Sequence, residues 1–213
     1  MLLLAFDTAT PRVTVALHDG AGVLAEHTVS AAATGAVRHG ELLAPGIAAV
    51  LADAGAHRSD LTDIAVGVGP GPFTGLRIGL VTARTLSAVL DVAVHGVCTL
   101  DILAAEAEVS GPFLVATDAR RTEVYWASYA DGVTRVDGPH VAKPADVATG
   151  TVVVGQGAVL YPDSFPHAAG PEHPSAGTLA GLVARGSVAG LPVEPLYLRR
   201  PDVAEPRARK PVS

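Results

Sequence analysis

Two short runs of this chain put a carboxylate where an apolar strand ends and a turn begins. Leu4-Ala5-Phe6-Asp7 is followed by Thr8-Ala9-Thr10, and Val115-Ala116-Thr117-Asp118 by Ala119-Arg120-Arg121. A carboxylate at such a point can hold a divalent cation, and the N–H groups of the turn beyond it can cradle a phosphate. A third candidate lies in residues 64–80, where Gly67, Gly69 and Gly71 join an apolar strand to a helix with Thr74 as its expected N-cap. Such a turn gathers N–H groups at the positive end of a helix dipole and suits an anion or a close backbone approach. It has no Gly-Lys-Ser/Thr and lacks the third glycine of a dinucleotide turn, so a ligand-free strand-to-helix turn fits it equally. Gly155-Gln156-Gly157 after a short strand is a weaker candidate, for a nucleoside contact.

Other chemistries find little support. None of the eight histidines forms an HxxxH or HExxH pair, and no Gly-x-Ser-x-Gly elbow is present. The only cysteine, Cys98, sits among apolar neighbours and reads as a packed, inert thiol. A formal net charge of −6 argues against autonomous nucleic-acid binding, which needs a basic face. The one basic cluster is the end of the chain, with Arg199, Arg200, Arg207, Arg209 and Lys210 spaced by prolines, and it reads as a loose tail. The opening MLLLAFD has no positive n-region, and no run reaches about 18 apolar residues, so a cytoplasmic protein without a membrane span is expected.

These residues need elements to hold them. Residues 2–7 form a continuous apolar strand, 12–18 alternate, and 23–29 return after the turn at 19–22. A glycine-containing loop at 31–37 leads to a helix over 39–54. A strand at 61–68, the glycine loop, a helix at 74–90 and a strand at 92–97 follow. The second half offers a helix at 100–109, strands at 113–118 and 123–129, and weak strands near 133–136 and 152–155. A Pro/His/Gly-rich linker at 161–174 and a short helix at 176–185 complete it. In both halves an apolar strand ends in Asp and a hairpin returns, which predicts two related α/β lobes, the second reduced. The expected division is 1–98, 99–200 and a flexible tail at 201–213. With hydrophobic residues at 49% and aromatics at 4%, the core must be built from Val, Leu, Ile and Ala.

Small residues recur every fourth position of the 74–90 helix, at Gly75, Gly79, Ala83 and Ser87. Such a stripe lets another backbone come close, either the protein's own sheet or a partner helix.

Taken together, LAFDTAT (4–10), HGELLAP (39–45), AVGVGPGPFTGLRIGLVTAR (65–84), GVCTLDILA (96–104), TDARRTEVYW (117–126), GQGA (155–158) and PLYLRRPDVA (195–204) resemble the TsaB (YeaZ) family of tRNA threonylcarbamoyladenosine (t6A) biosynthesis. The resemblance implies an actin-like (ASKHA, ribonuclease H-like) two-lobe fold. It also implies a scaffold without catalysis of its own that binds and activates TsaD, the transferase acting at tRNA position 37, with TsaE joining the complex. The chain alone is expected to form a homodimer, and tRNA is expected to be met mainly through the partners.

TsaD-like proteins carry a metal-binding HxxxH where this chain has Thr99 and Leu103, so no metal and no cofactor are expected, and any nucleotide only at the partner interface. The first helix is expected to dock through His39, Leu42, Leu43, Pro45, Ile47 and Val50. The second is expected to dock through Thr74, Gly75, Leu76, Gly79, Thr82, Ala83, Leu86 and Ser87. In actin- and hexokinase-like ATPases a glycine stands two residues after the strand-end Asp, where this chain has Ala9. A vestigial nucleotide site is therefore expected from Asp7, Thr8, Thr10, Gly69, Gly71, Asp118, Arg120, Gly155 and Gly157. Two alternatives are a nucleotide-dependent transferase or kinase using Asp7 and Asp118 and, less favoured, a metallopeptidase-like protein.

Overall fold

The computed structural model describes residues 1–30 and 39–199. The expected loop at 31–37, Arg200 and the tail at 201–213 lie outside the described residues.

The first sheet is built on β1 (Leu3–Asp7) and β4 (Asp63–Gly67), whose unbroken apolar runs suit central strands covered on both faces. With β2 (Arg12–His18), β3 (Val23–Ser30) and β5 (Ala93–Val97) the order is β3-β2-β1-β4-β5. The β1–β2 and β2–β3 pairs are antiparallel, while β4 runs parallel to β1 and β5 parallel to β4.

Side chains alternate along each strand, so Leu4, Phe6, Val13, Val15, Ile64 and Val66 share one face. There α1 (His39–Asp53) and α2 (Phe73–Leu90) add Leu43, Val50, Leu80 and Ala83. The opposite face offers Leu3, Ala5, Ala16 and Ala65. It is covered by Ile102 of α3 (Thr99–Glu106) and by Ala176, Leu179 and Ala180, which belong to the last helix.

The second sheet comprises β6 (Phe113–Asp118), β7 (Val124–Tyr129), β8 (Arg135–Ala142), β9 (Val153–Val154) and β10 (Ala168–Ala169), in the order β10-β9-β6-β7-β8. Its β6–β7 and β7–β8 pairs are antiparallel, and β9 and β10 run parallel to β6 and β9 respectively. Both sheets therefore share one topology, as the repeated strand-Asp-hairpin pattern predicts, with the parallel strands β9 and β10 of the second cut to two residues each, and the arrangement is the two-lobe ASKHA fold that the family resemblance implies. Between the lobes, α3 is tied to the second sheet by a hydrogen bond from Tyr129 Oη to Asp101 Oδ1 (2.7 Å) and by Arg135 Nη1 at 3.5 Å from the same oxygen.

Several expectations need correction. Helix α2 begins at Phe73 with Pro72 as N-cap, and no side chain caps it, so Thr74 already lies inside the first turn. A short α4 (Gln156–Leu160) follows Gly155 where only a loop was expected. The last helix, α5 (Ala176–Arg185), does not belong with the second lobe as the 99–200 division would have it. It packs on β1 and β2, with its N-terminus pinned to β2 and β3. Thr14 Oγ1 accepts from Ala176 N at 3.1 Å, while Glu26 Oε1 accepts from Ser175 Oγ at 2.9 Å and Gly177 N at 3.2 Å.

The chain then runs back along the edge of the first sheet. Leu191 N donates to Gly96 O (2.8 Å) and Leu196 N to Val68 O (2.9 Å). Tyr197 packs against Phe73 with ring centroids 4.6 Å apart and the ring planes tilted by 45°. Arg199 ends the run on the β6–β7 turn, donating to Ala119 O at 3.1 Å and pairing with Glu123.

Candidate functional site

Strand β1 delivers Asp7 into the interior, not into a cleft. Its Oδ1 accepts from Ala9 N at 2.6 Å and its Oδ2 from Thr99 Oγ1 at 2.7 Å. Complete burial raises its pKa, against the pull of Thr99, of the Ala9 N–H and of His39. Strand β4 passes so close that a Cβ on Gly67 would overlap Oδ2, which is why this position is glycine. The glycine loop then folds over the turn after β1. Gly69 O accepts from Thr99 N at 2.8 Å, and a Cβ on Gly71 would run into Ala9 O. The space a phosphate would take is filled by the chain itself.

The second hairpin is more open. Asp118 Oδ1 accepts from Arg120 N at 2.8 Å, and its Oδ2 lies 3.3 Å from Arg120 Nη1. Arg120, Arg121 and Thr122 all take left-handed backbone, with φ of 62°, 56° and 56°. Gly155 and Gly157 are small because a Cβ on either would collide with Ala116 of β6. Close packing on β6 accounts for both glycines.

Of the expected nucleotide residues, only Thr10 and Arg120 share a cleft, a space of about 230 Å³ between the lobes with Pro11, His39, Pro72, Thr74 and Gly75 on its walls. Thr8 is buried with its hydroxyl donated to Gly75 O at 2.8 Å. His39 was expected on a helix interface. It lies instead on this cleft, 3% exposed, with Nε2 at 2.8 Å from Thr10 O. Nothing in the sequence near His39 signals that placement, because Thr10 and Arg120 reach it from distant segments.

Thr99 and Leu103, at the positions of the metal-binding pair, are wholly buried. Thr99 is committed to Asp7, and Leu103 packs with Phe113 and Tyr129. Among the described residues, no group of three or more His, Cys, Asp or Glu stands together.

The small-residue stripe of α2 faces inward. A Cβ on Gly75 would overlap Thr8 O, one on Gly79 would come within 2.5 Å of Thr8 Oγ1, and Ala83 is buried. His39, Leu43, Val50 and Leu76 are buried as well, while Leu42, Ile47 and Leu86 lean on the same core. Thr82 and Ser87 are half-buried, Ser87 donating to Val92 O at 2.7 Å. Of the residues expected to dock, only Pro45 and Thr74 are exposed. The apolar stripe of an amphipathic helix serves the core first, so the accessible surface is the opposite face. On α1 the exposed residues are Gly40, Glu41, Ala44, Pro45, Ala48, Ala52 and Asp53, and on α2 Thr74, Arg77, Val81, Arg84, Thr85, Ala88 and Val89. Val81 is 62% and Val89 75% exposed. Helix α2 is long and apolar enough to cross a membrane by length and composition (18 residues, mean hydropathy 1.2), although polar residues such as Arg77 and Arg84 interrupt it. Its inner face is committed to the sheet, and the outer face that remains sets Val81, Ala88 and Val89 beside Arg77 and Arg84.

A family model described as TsaD, tRNA N6-adenosine threonylcarbamoyltransferase, matches residues 23–166. The chain is 44% identical over 211 residues to an uncharacterized Mycobacterium tuberculosis protein, covering 97% of this chain and 95% of the relative. It is 42% identical over 207 residues to an uncharacterized Mycobacterium leprae protein, covering 94% of this chain but spanning only 55% of that relative. It is also 36% identical over 132 residues to the tRNA threonylcarbamoyladenosine biosynthesis protein TsaB of Escherichia coli, covering 61% of this chain and 55% of TsaB. Among solved structures, YeaZ from Pseudomonas aeruginosa superposes with a TM-score of 0.77 at 31% identity, covering 92% of this chain and 99% of YeaZ.

Proposed function

The chain belongs to the TsaB (YeaZ) family, and from that premise we propose that it serves t6A biosynthesis in the cytoplasm as a scaffold without catalysis of its own. In this reading it binds and activates a TsaD transferase, TsaE joins the pair, tRNA is met through the partners, and the chain alone self-associates through the same surface. The observation that carries the scaffold reading is the state of Asp7. Both its oxygens are engaged inside the fold at 2.6 and 2.7 Å, and the glycine loop occupies the ground beside it. A transferase or kinase using Asp7 would need that carboxylate open to a metal ion.

The docking surface we propose is the outer face of α1 and α2. Ala44 and Ala48 on one helix and Val81, Thr85 and Ala88 on the other are small enough to let two helix pairs approach closely. Exposed valines on an 18-residue apolar helix support a partner there.

Reconstituted t6A synthesis with TsaD and TsaE, with and without this chain, tests the function. Val81→Arg and Ala48→Arg test the surface. Each should leave the fold intact, since its site is exposed, and weaken TsaD binding by roughly 30-fold or more, about 2 kcal/mol at a well-packed interface. Folded variants that bind TsaD like the wild type would refute the proposed face.

A further inference from the structure

After α5 the chain returns to α2 and builds a platform on its flank. Leu191 and Leu196 pack against the cores of both lobes, and their N–H groups donate to Gly96 O and Val68 O. The fit is close, since a Cβ on Gly96 would lie 2.6 Å from Leu191 O. This anchoring fixes Tyr197, which packs against Phe73 in the first turn of α2 and is itself 37% exposed. Arg77, one turn on from Phe73, is laid over both rings, with Cζ 5.8 Å from the Phe73 centroid and 6.0 Å from that of Tyr197. Its Nε donates to Tyr197 Oη at 2.9 Å. An arginine on a helix surface ordinarily samples many rotamers, so these contacts take up that freedom before any partner arrives. The N–H groups of its two Nη atoms remain to be used. Among the described residues no carboxylate pairs with Arg77, whereas Arg84, two turns further along the helix, meets Glu194 of the platform at 3.7 Å.

Resting on the reading of α1 and α2 as the docking surface, we propose that Arg77 is its specificity-determining residue and receives a side-chain carboxylate of the TsaD partner, with Tyr197 as the residue that positions it. Val81, Thr85 and Ala88 continue from Arg77 along one exposed stripe of α2. With Arg84 answered by Glu194, that stripe carries one guanidinium without a counter-charge, near its N-terminal end. Complementarity asks for a partner surface that is small and apolar along its length and acidic at one end. A carboxylate there accepts two parallel N–H···O bonds from the Nη atoms, and exclusion of water around Val81 strengthens them. A partner without the carboxylate would bury the guanidinium unpaired, which is how one residue rejects a mismatched surface. The phosphate backbone of an RNA is a poorer match, since a row of phosphates calls for several free cations and this stripe offers one.

Calorimetric titration of TsaD into the whole chain and its variants tests this assignment. Arg77→Ala should weaken binding roughly tenfold or more and Arg77→Glu roughly a hundredfold, with melting temperatures near that of the wild type because the side chain is exposed. Tyr197→Phe keeps the ring and removes the oxygen that accepts from Nε. It should weaken binding about threefold in the wild type and not at all in Arg77→Ala, a coupling that a purely structural role of Tyr197 would not produce. Among single Asp→Arg and Glu→Arg variants of TsaD, one should restore binding to Arg77→Glu. Val81→Arg separates the docking face from the carboxylate. If Val81→Arg loses binding while folded Arg77→Ala keeps it, the face stands and the role of Arg77 is overturned. If Val81→Arg binds as the wild type does, the face fails and Arg77 loses its ground with it. Loss of tRNA binding by Arg77→Ala with TsaD binding unchanged would assign the guanidinium to a phosphate and equally overturn the proposal.

Discussion

Replacing Gly79 with alanine probes a close contact between α2 and the turn after β1, and the sign of its effect should depend on one hydroxyl. A Cβ on Gly79 lies 2.5 Å from Thr8 Oγ1 but 3.7 Å from Thr8 Cβ and Val66 Cγ2, so the hydroxyl alone is in the way. That hydroxyl donates to Gly75 O at 2.8 Å in a buried site. Making room for the methyl breaks this bond and leaves a buried donor unsatisfied, which costs about 1–3 kcal/mol. Alanine in place of a mid-helix glycine returns about 1 kcal/mol. The net expectation is a loss of up to roughly 2 kcal/mol, or as much as ~8 °C in melting temperature for a chain of this size. With Thr8→Ala as background the obstructing atom is gone, and Gly79→Ala should then stabilise by about 0.5–1 kcal/mol. Thermal and urea denaturation of the four proteins of this cycle measures the coupling. Equal effects in both backgrounds would refute the close-packing explanation of the stripe.

Other expectations follow from the same geometry. The folded carboxyl of Asp7 titrates above its ordinary 3.8, so its contribution to stability is complete below about that pH and is lost as pH rises through the raised value. Asp7→Asn should therefore melt no lower than wild type at pH 7 and show a shallower fall in melting temperature from acid toward neutral pH, and it should still support t6A synthesis. A steeper fall, or loss of t6A synthesis by a folded Asp7→Asn, would contradict the sealed role of this residue. Some of the slope should persist, because burial also raises Asp101 and Glu106. Cys98 is wholly buried, and burial, aided by Asp101, pushes its thiol up to about 12. Iodoacetamide should leave it unmodified in the native protein and alkylate it in denaturant, as mass spectrometry would show.

Much of the fold is legible in the sequence because its signals are local. Apolar runs ending in Asp7 and Asp118, each followed by a hairpin, mark the repeated start of both sheets, and residues 176–185 carry the helical pattern that α5 adopts. What a local pattern cannot carry is which neighbour a surface meets. The four-residue spacing of Gly75, Gly79 and Ala83 marks a close approach but not whether Thr8 or a partner stands opposite. Likewise α5 follows the second sheet in sequence, yet Thr14 and Glu26 hold it on the first, across more than half the chain. Strand β9 registers only as a weak strand near 152–155, and β10, at two residues, is too short for a periodicity to register at all. The cleft is the least legible part, since His39, Thr74 and Arg120 converge only after both lobes are assembled.

The placement of α5 also constrains how the chain can acquire its structure during synthesis. Leu3, Ala5, Ala16 and Ala65 are all made early, but Ala176, Leu179 and Ala180, which shield them, emerge about 80 residues after β5 is complete. At ~5–20 residues per second that interval lasts roughly 4–16 s, during which one apolar side of the first sheet has only part of its cover. The first lobe is therefore not a unit that can finish folding and wait. Its closure is deferred until nearly the whole second lobe has left the ribosome, which makes the nascent N-terminal half a natural client for a chaperone.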